Sequence, residues 1–180
     1  LPPMTAHVLE RERLMNKLLS WEDRKLVLIH AQAGQGKSTL AADHLRSQRS
    51  PALWYSFDAS ADDPAAFLSS FGEALRSKWP DHASRISPLV RHRYGDAGRE
   101  RAIEQWAASA FAAHPGPALI VFDDYSSTTG SAELRRVLET LFGKTPPQVR
   151  FLLTSRTRPE MDIIALRARR SVGELTGRDL

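Results

Sequence analysis

Leu26-Val-Leu-Ile-His-Ala31 is an apolar run that ends in a glycine-bearing loop and passes straight into a helix-forming segment, Thr39-Leu-Ala-Ala-Asp-His-Leu45. That order leaves few architectures open. The run reads as a buried strand. The loop, Ala31-Gln-Ala-Gly-Gln-Gly-Lys37-Ser38, has the spacing G-x-x-x-x-G-K-[ST], with Ala31 at the first position, where a small side chain serves. Gly34 and Gly36 let the backbone curl so that successive N–H groups point inward at anionic oxygens. Lys37 adds a cation within reach of β- and γ-phosphates, and the Ser38 hydroxyl can ligate Mg²⁺. The N-terminal end of the following helix turns its dipole toward the same anion. The pattern predicts a triphosphate site bound by Ala31, Gly34, Gln35, Gly36, Lys37, Ser38 and Thr39.

Ala118-Leu-Ile-Val-Phe-Asp123-Asp124 supplies the expected second half, a buried strand ending in two carboxylates. An acid at that position holds Mg²⁺ through water, which falls to Asp123. Asp124 is the residue to orient or deprotonate an attacking water. Thr154-Ser-Arg156 ends the next strand, and from a strand end Arg156 can reach a γ-phosphate and register its presence. The catalytic candidates are therefore Asp123, Asp124 and Arg156, and the metal candidates Ser38 and Asp123.

Strands alternate with helices along the rest of the chain. An amphipathic lead-in helix carries Leu14, Leu18 and Met15, Leu19 at i, i+4. Ala52–Phe57 reads as a second strand covered on both faces, because it is mostly apolar. Pro64 suits the first turn of a helix running to about Ser77, with Phe67, Phe71, Ala74 and Leu75 on its buried stripe. Trp79 to Gly98 reads as short helices and a variable loop, with His82 and His92 at the surface. A helix from about Arg99 to Ala113 buries Ile103, Trp106, Ala107 and Ala110. Ser131 caps a helix to about Phe142, Gly143–Pro147 turn, and Val149–Thr154 is a strand. A short helix at 162–167 and a strand at 171–175 follow. The predicted fold is α/β, a three-layer sandwich with a mainly parallel sheet of about five strands. A strand and at least two helices separate the phosphate loop from Asp123, which implies that another strand lies between them in the sheet.

Composition sets the class. In 180 residues, 42% are hydrophobic and 26% charged, as in soluble globular domains. No apolar run is long enough to span a bilayer, and Leu1-Pro-Pro-Met-Thr-Ala-His7 lacks the pattern of a signal peptide. With no cysteine, disulfides, thiolate chemistry and Cys-based zinc sites are excluded, consistent with an expected cytoplasmic location. The net charge of +4 comes from scattered arginines. Their clusters, Arg91 to Arg101 and Arg167-Ala-Arg169-Arg170, read as solvated faces.

The assembled pieces resemble the ATPase domain of STAND signal-transduction NTPases, in particular MalT-like, LuxR-type transcriptional regulators. The likeness rests on Arg11-Glu-Arg-Leu, the stretch Leu26 to Leu40, Ala52-Leu-Trp-Tyr-Ser-Phe-Asp58 with Asp62-Asp-Pro64 and Phe67-Leu68, and Leu119-Ile-Val-Phe-Asp-Asp-Tyr125. It extends through Leu152-Leu-Thr-Ser-Arg156, Leu166-Arg-Ala-Arg169 and Glu174-Leu-Thr-Gly-Arg-Asp-Leu180. It implies the additional-strand topology of AAA and STAND proteins, with ATP, ADP and Mg²⁺ as ligands. It also implies a switch in which ADP holds a closed monomer while ATP plus an inducer permits self-association. Lys37, Ser38, Asp123 and Arg156 take the family roles of phosphate contact, metal ligation, metal-water ligation and γ-phosphate sensing. Tyr125-Ser126 departs from relatives that often carry His at the second position. Residues 1–180 then form one NTPase domain, with 1–25 as the lead-in and 79–98 as the variable region. The chain is expected to be a fragment of a longer regulator, and any DNA contact belongs to domains beyond it. Two other readings stay open. One is a small phosphotransferase, for which no acceptor motif is visible. The other is a nucleotide-binding interaction module that does not hydrolyse.

Overall fold

The computed structural model describes residues 12–58, 63–80, 96–112, 116–125 and 131–180. Helix α1 (Glu12–Leu19) precedes β1 (Leu26–His30), and α2 (Lys37–Ser47) leads to β2 (Ala52–Ser56). Helices α3 (Pro64–Lys78) and α4 (Asp96–Ala112) come before β3 (Ala118–Asp123). Next are α5 (Ala132–Lys144), β4 (Val149–Ser155), α6 (Ile164–Ala168) and β5 (Val172–Thr176). All five strands are parallel, in the order β2-β3-β4-β1-β5. The expected inserted strand is therefore β4, between β1 and β3.

Period-two alternation assigns each strand residue to a face. Leu26 and Leu28 of β1, Ile120 and Phe122 of β3, and Phe151 and Leu153 of β4 pack with residues of α3, α4 and α5. Val27, Ile29, Leu119, Val121 and Leu152 face the opposite way and pack with residues of α1 and α2. Phe122 centres the first layer, with ring centroids 5.2 Å from Phe71 and 5.8 Å from Phe151. Helices on both faces of a parallel sheet are the predicted sandwich.

Local chemistry sets the N-terminal ends of α3 and α5. Asp63 caps α3 by accepting the Ala65 N–H, with Pro64 at the first helical position. Ser131 caps α5 by accepting the Leu134 N–H. The α5 helix runs through Gly143 to Lys144, so the expected turn begins later, at Thr145. Lys25 closes that end: its ammonium donates to the carbonyls of Thr145, Pro146 and Val149, although burial pulls its pKa down to about 7.

Three further expectations are corrected. Strand β2 lies at a sheet edge, so only Leu53 is buried, Trp54 and Tyr55 are half-covered and Ser56 is exposed. In α1, Leu14 and Leu18 are buried but Leu19 is exposed, because the helix meets the sheet through one narrow stripe. Ala74 is only half-buried on α3, and the side chain of Ala110 lies outside the described set. His82, His92, Ser126, most of the variable region and the first eleven residues also lie outside it. Among the described residues, no helix is long and apolar enough to cross a membrane.

Strand β5 is covered by α1 and the segment after it. Trp21 lies flat against Gly173, where a Cβ atom would come within 2.4 Å of the indole. Asp179 accepts from Lys17 Nζ at 2.9 Å and from the Thr176 N–H at 2.9 Å. The Thr176 N–H and then Lys17 hold its carboxyl down to about 2.

Candidate functional site

The loop after β1 curls as its glycines predict. Gly34 and Gly36 both have φ of 79°, a left-handed conformation that other residues adopt at a cost. Gly36 is the N-cap of α2 and no side chain caps that helix, which leaves its first-turn N–H groups directed at the concave side of the loop. Ala31 is buried and donates its N–H to the Ser155 carbonyl at 3.1 Å. Gln35 folds back across the loop, its Oε1 accepting the Gln32 N–H at 2.8 Å. Lys37 is buried in the loop and donates to the Gln32 carbonyl at 2.9 Å. Burial lowers its pKa, the Asp124 charge opposes that, Arg156 reinforces it and Asp123 opposes it.

The strand ends complete the site. On β3 the odd-numbered positions face α2, so Asp123 turns toward the loop while Phe122 enters the aromatic core. Ser38, on the first turn of α2, donates to Asp123 Oδ1 at 2.8 Å. Asp124 follows with a left-handed φ of 55° and pairs with Arg156, Oδ2 to Nη2 3.1 Å. All the predicted site residues are thus gathered at the carboxyl ends of β1, β3 and β4. This end of a parallel sheet is where ligands bind in such folds.

Thr154 was not singled out by the sequence, although it sits in the middle of the site. It is fully buried on β4 beside Asp123, donates to Asp123 Oδ1 at 2.6 Å and accepts the Asp124 N–H at 2.9 Å. The alternation of β4 held the clue, since Thr154 is the polar member of the face that Leu152 buries against α2. A second cluster joins Glu174 of β5 to His30 at 3.0 Å, Arg158 at 3.1 Å and Arg167 at 3.2 Å.

The model of the family described as Nephrocystin 3, N-terminal matches residues 5–156, a span holding the loop, both acids and Arg156. The chain belongs to that family. It is also 29% identical over 180 residues to the HTH-type transcriptional regulator MalT of Yersinia enterocolitica, covering 97% of this chain and 19% of that protein. It is 29% identical over 175 residues to MalT of Yersinia pestis, with the same coverage. The expected kinship with MalT-like regulators is met in these relatives, and the chain spans about a fifth of the length of each. Among solved structures, a chain of Drosophila ORC bound to GC-rich DNA and Cdc6 superposes with a TM-score of 0.53 at 13% identity, over 98% of this domain and 63% of that chain. That likeness is one of fold.

Proposed function

We propose that this domain binds ATP with Mg²⁺, hydrolyses it slowly, and acts as the switch of a signal-transduction or transcriptional regulator whose self-association follows the nucleotide. The observation that carries the reading is the 2.8 Å contact between Ser38 and Asp123, which joins the phosphate loop to the acid-bearing strand. The oxygen chemistry fits Mg²⁺. Among the described residues no group of three or more His, Cys, Asp or Glu could hold a metal. One hydroxyl and one carboxylate suit an ion that keeps several waters and draws its other ligands from phosphates. The Ser38 hydroxyl can keep donating to Asp123 while its lone pairs serve the ion. When bound, Mg²⁺ would neutralise charge on the bridging phosphate oxygens.

The other roles follow from position. The first-turn N–H groups of α2 and the Lys37 ammonium take the phosphates. Lys37 exchanges its bond to the Gln32 carbonyl for a charged partner, which is the stronger one. Asp124 orients or accepts a proton from water, and its pairing with Arg156 gives the switch its logic. A γ-phosphate beside Lys37 competes with Asp124 for the Arg156 guanidinium, so the pair responds to triphosphate and not to diphosphate. Slow turnover resets the state. The resemblance to MalT supports the regulatory setting, with DNA contact and inducer recognition assigned to other parts of a longer protein.

Titration calorimetry of the chain with ATP and ADP, with and without Mg²⁺, tests this. Wild-type binding should weaken at least about tenfold in Lys37→Ala, or about 1.4 kcal/mol. Unchanged affinity would move the site elsewhere. Asp123→Asn should keep Mg²⁺-free binding and lose the gain that Mg²⁺ gives.

A further inference from the structure

Resting on the site reading above, we infer that Thr154 is a positioning residue that fixes both acids at once, aiming the Asp123 carboxylate at the hydrated metal. A threonine hydroxyl has one proton to donate and two lone pairs. The proton goes to Asp123 Oδ1 at 2.6 Å, and a lone pair takes the Asp124 N–H at 2.9 Å. Ser38 places a second O–H on the same Oδ1. Two hydroxyls therefore converge on one carboxylate oxygen, and Oδ2 accepts no hydrogen bond among the described residues. Held by one oxygen, the carboxylate cannot spin about its χ2 axis, and the other oxygen is left to water or metal-bound water.

The backbone side of the contact matters equally. Asp124 has φ of 55°, an uncommon conformation for a residue with a side chain. The Thr154 hydroxyl anchors its N–H in that conformation, from which the carboxylate reaches Arg156. Thr154 sits on β4, the strand inserted between β1 and β3, and registers with Ile29 across one edge. Being fully buried, its hydroxyl could not be left unpaired without cost, and both of its bonds go to the two acids.

Thr154→Val keeps the shape and removes the hydroxyl, so the test reads metal dependence and not activity alone. The affinities for ADP and ATP are measured with and without Mg²⁺. In Thr154→Val the gain in affinity due to Mg²⁺ should fall by about 10- to 100-fold, as for lost support of a metal ligand, with Mg²⁺-free affinity unchanged. Thr154→Ser, which retains the hydroxyl, should keep the wild-type gain. If Thr154→Val does not fold, Thr154→Ser and Thr154→Ala make the same comparison, since both lack the methyl and differ only in the hydroxyl. A purely structural role would lower the melting temperature and leave the Mg²⁺ gain untouched. A wild-type gain in either hydroxyl-free variant overturns the inference while leaving the site reading intact. Wild-type protein that binds neither nucleotide overturns the site reading and this inference together.

Discussion

His44 gives the fold an acid sensitivity that can be worked out beforehand. It sits on α2 with only 3% of its surface exposed, and its Nδ1 has no hydrogen-bond partner among the described residues. Its Nε2 lies 3.4 Å from the Gln48 amide nitrogen, and the Gln48 carbonyl oxygen is held by Arg150 at 2.9 Å. Burial, and then the Arg150 charge, pull the imidazole from 6.5 down to about 4. The unfolded chain therefore takes a proton near pH 6.5 that the native protein refuses until about pH 4. Stability is lost as pH falls through that window. At about 1.4 kcal/mol per pH unit, the loss is roughly 2 kcal/mol at pH 5 and approaches 3 near pH 4. Urea unfolding at pH 7, 6 and 5 would show it, with His44→Gln as the control that cannot titrate. Wild type should lose about 2 kcal/mol more than the variant between pH 7 and 5. Asp179 does not obscure the result, because the stability it contributes is lost only below its unfolded value of 3.8. Parallel pH dependences in the two proteins would refute the argument.

Arg156→Ala should reduce the preference for ATP over ADP about tenfold, the worth of one charge-assisted bond, and leave ADP affinity unchanged in the same calorimetric series. Arg170→Gly should raise stability by about 1 kcal/mol in urea unfolding, because Arg170 has φ of 52° at the end of α6, where glycine carries no Cβ penalty. Gly173→Ala should cost about 1–3 kcal/mol, since the new methyl would press on the Trp21 indole at 2.4 Å. Trp21 would have to lift off β5, and a red-shifted fluorescence maximum would report its wetting.

What could be read from the sequence was local. The phosphate loop is legible because two glycines, a lysine and a serine within eight residues encode both its curl and its charge. Pro64 and Ser131 announced their helices for the same reason, each acting within the first turn, whereas the Asp63 cap emerged only in the structure. The edge position of β2 was not legible, because coverage of Trp54 and Tyr55 depends on which strands flank β2, a property of the whole sheet. Gly143 looked like a turn but stays helical, because Phe142 is buried beneath it and the helix end is set by Thr145 and the Lys25 ammonium. Arg156 could be picked out by its charge at a strand end. Thr154, two residues earlier, could not, since its meaning depends on lying next to Asp123 across 31 positions of chain.

The position of β4 also bears on how such a chain can be divided. The phosphate loop and the paired acids both occur before Tyr125, so a segment ending there would carry these two signatures. In the sheet, however, β1 and β3 never touch, and only β4 bridges the gap between them. A protein truncated before Val149 would hold the phosphate loop and the paired acids without the strand that joins β1 to β3 in the sheet. Possessing the signatures and possessing the site are, in this architecture, separate properties of the chain.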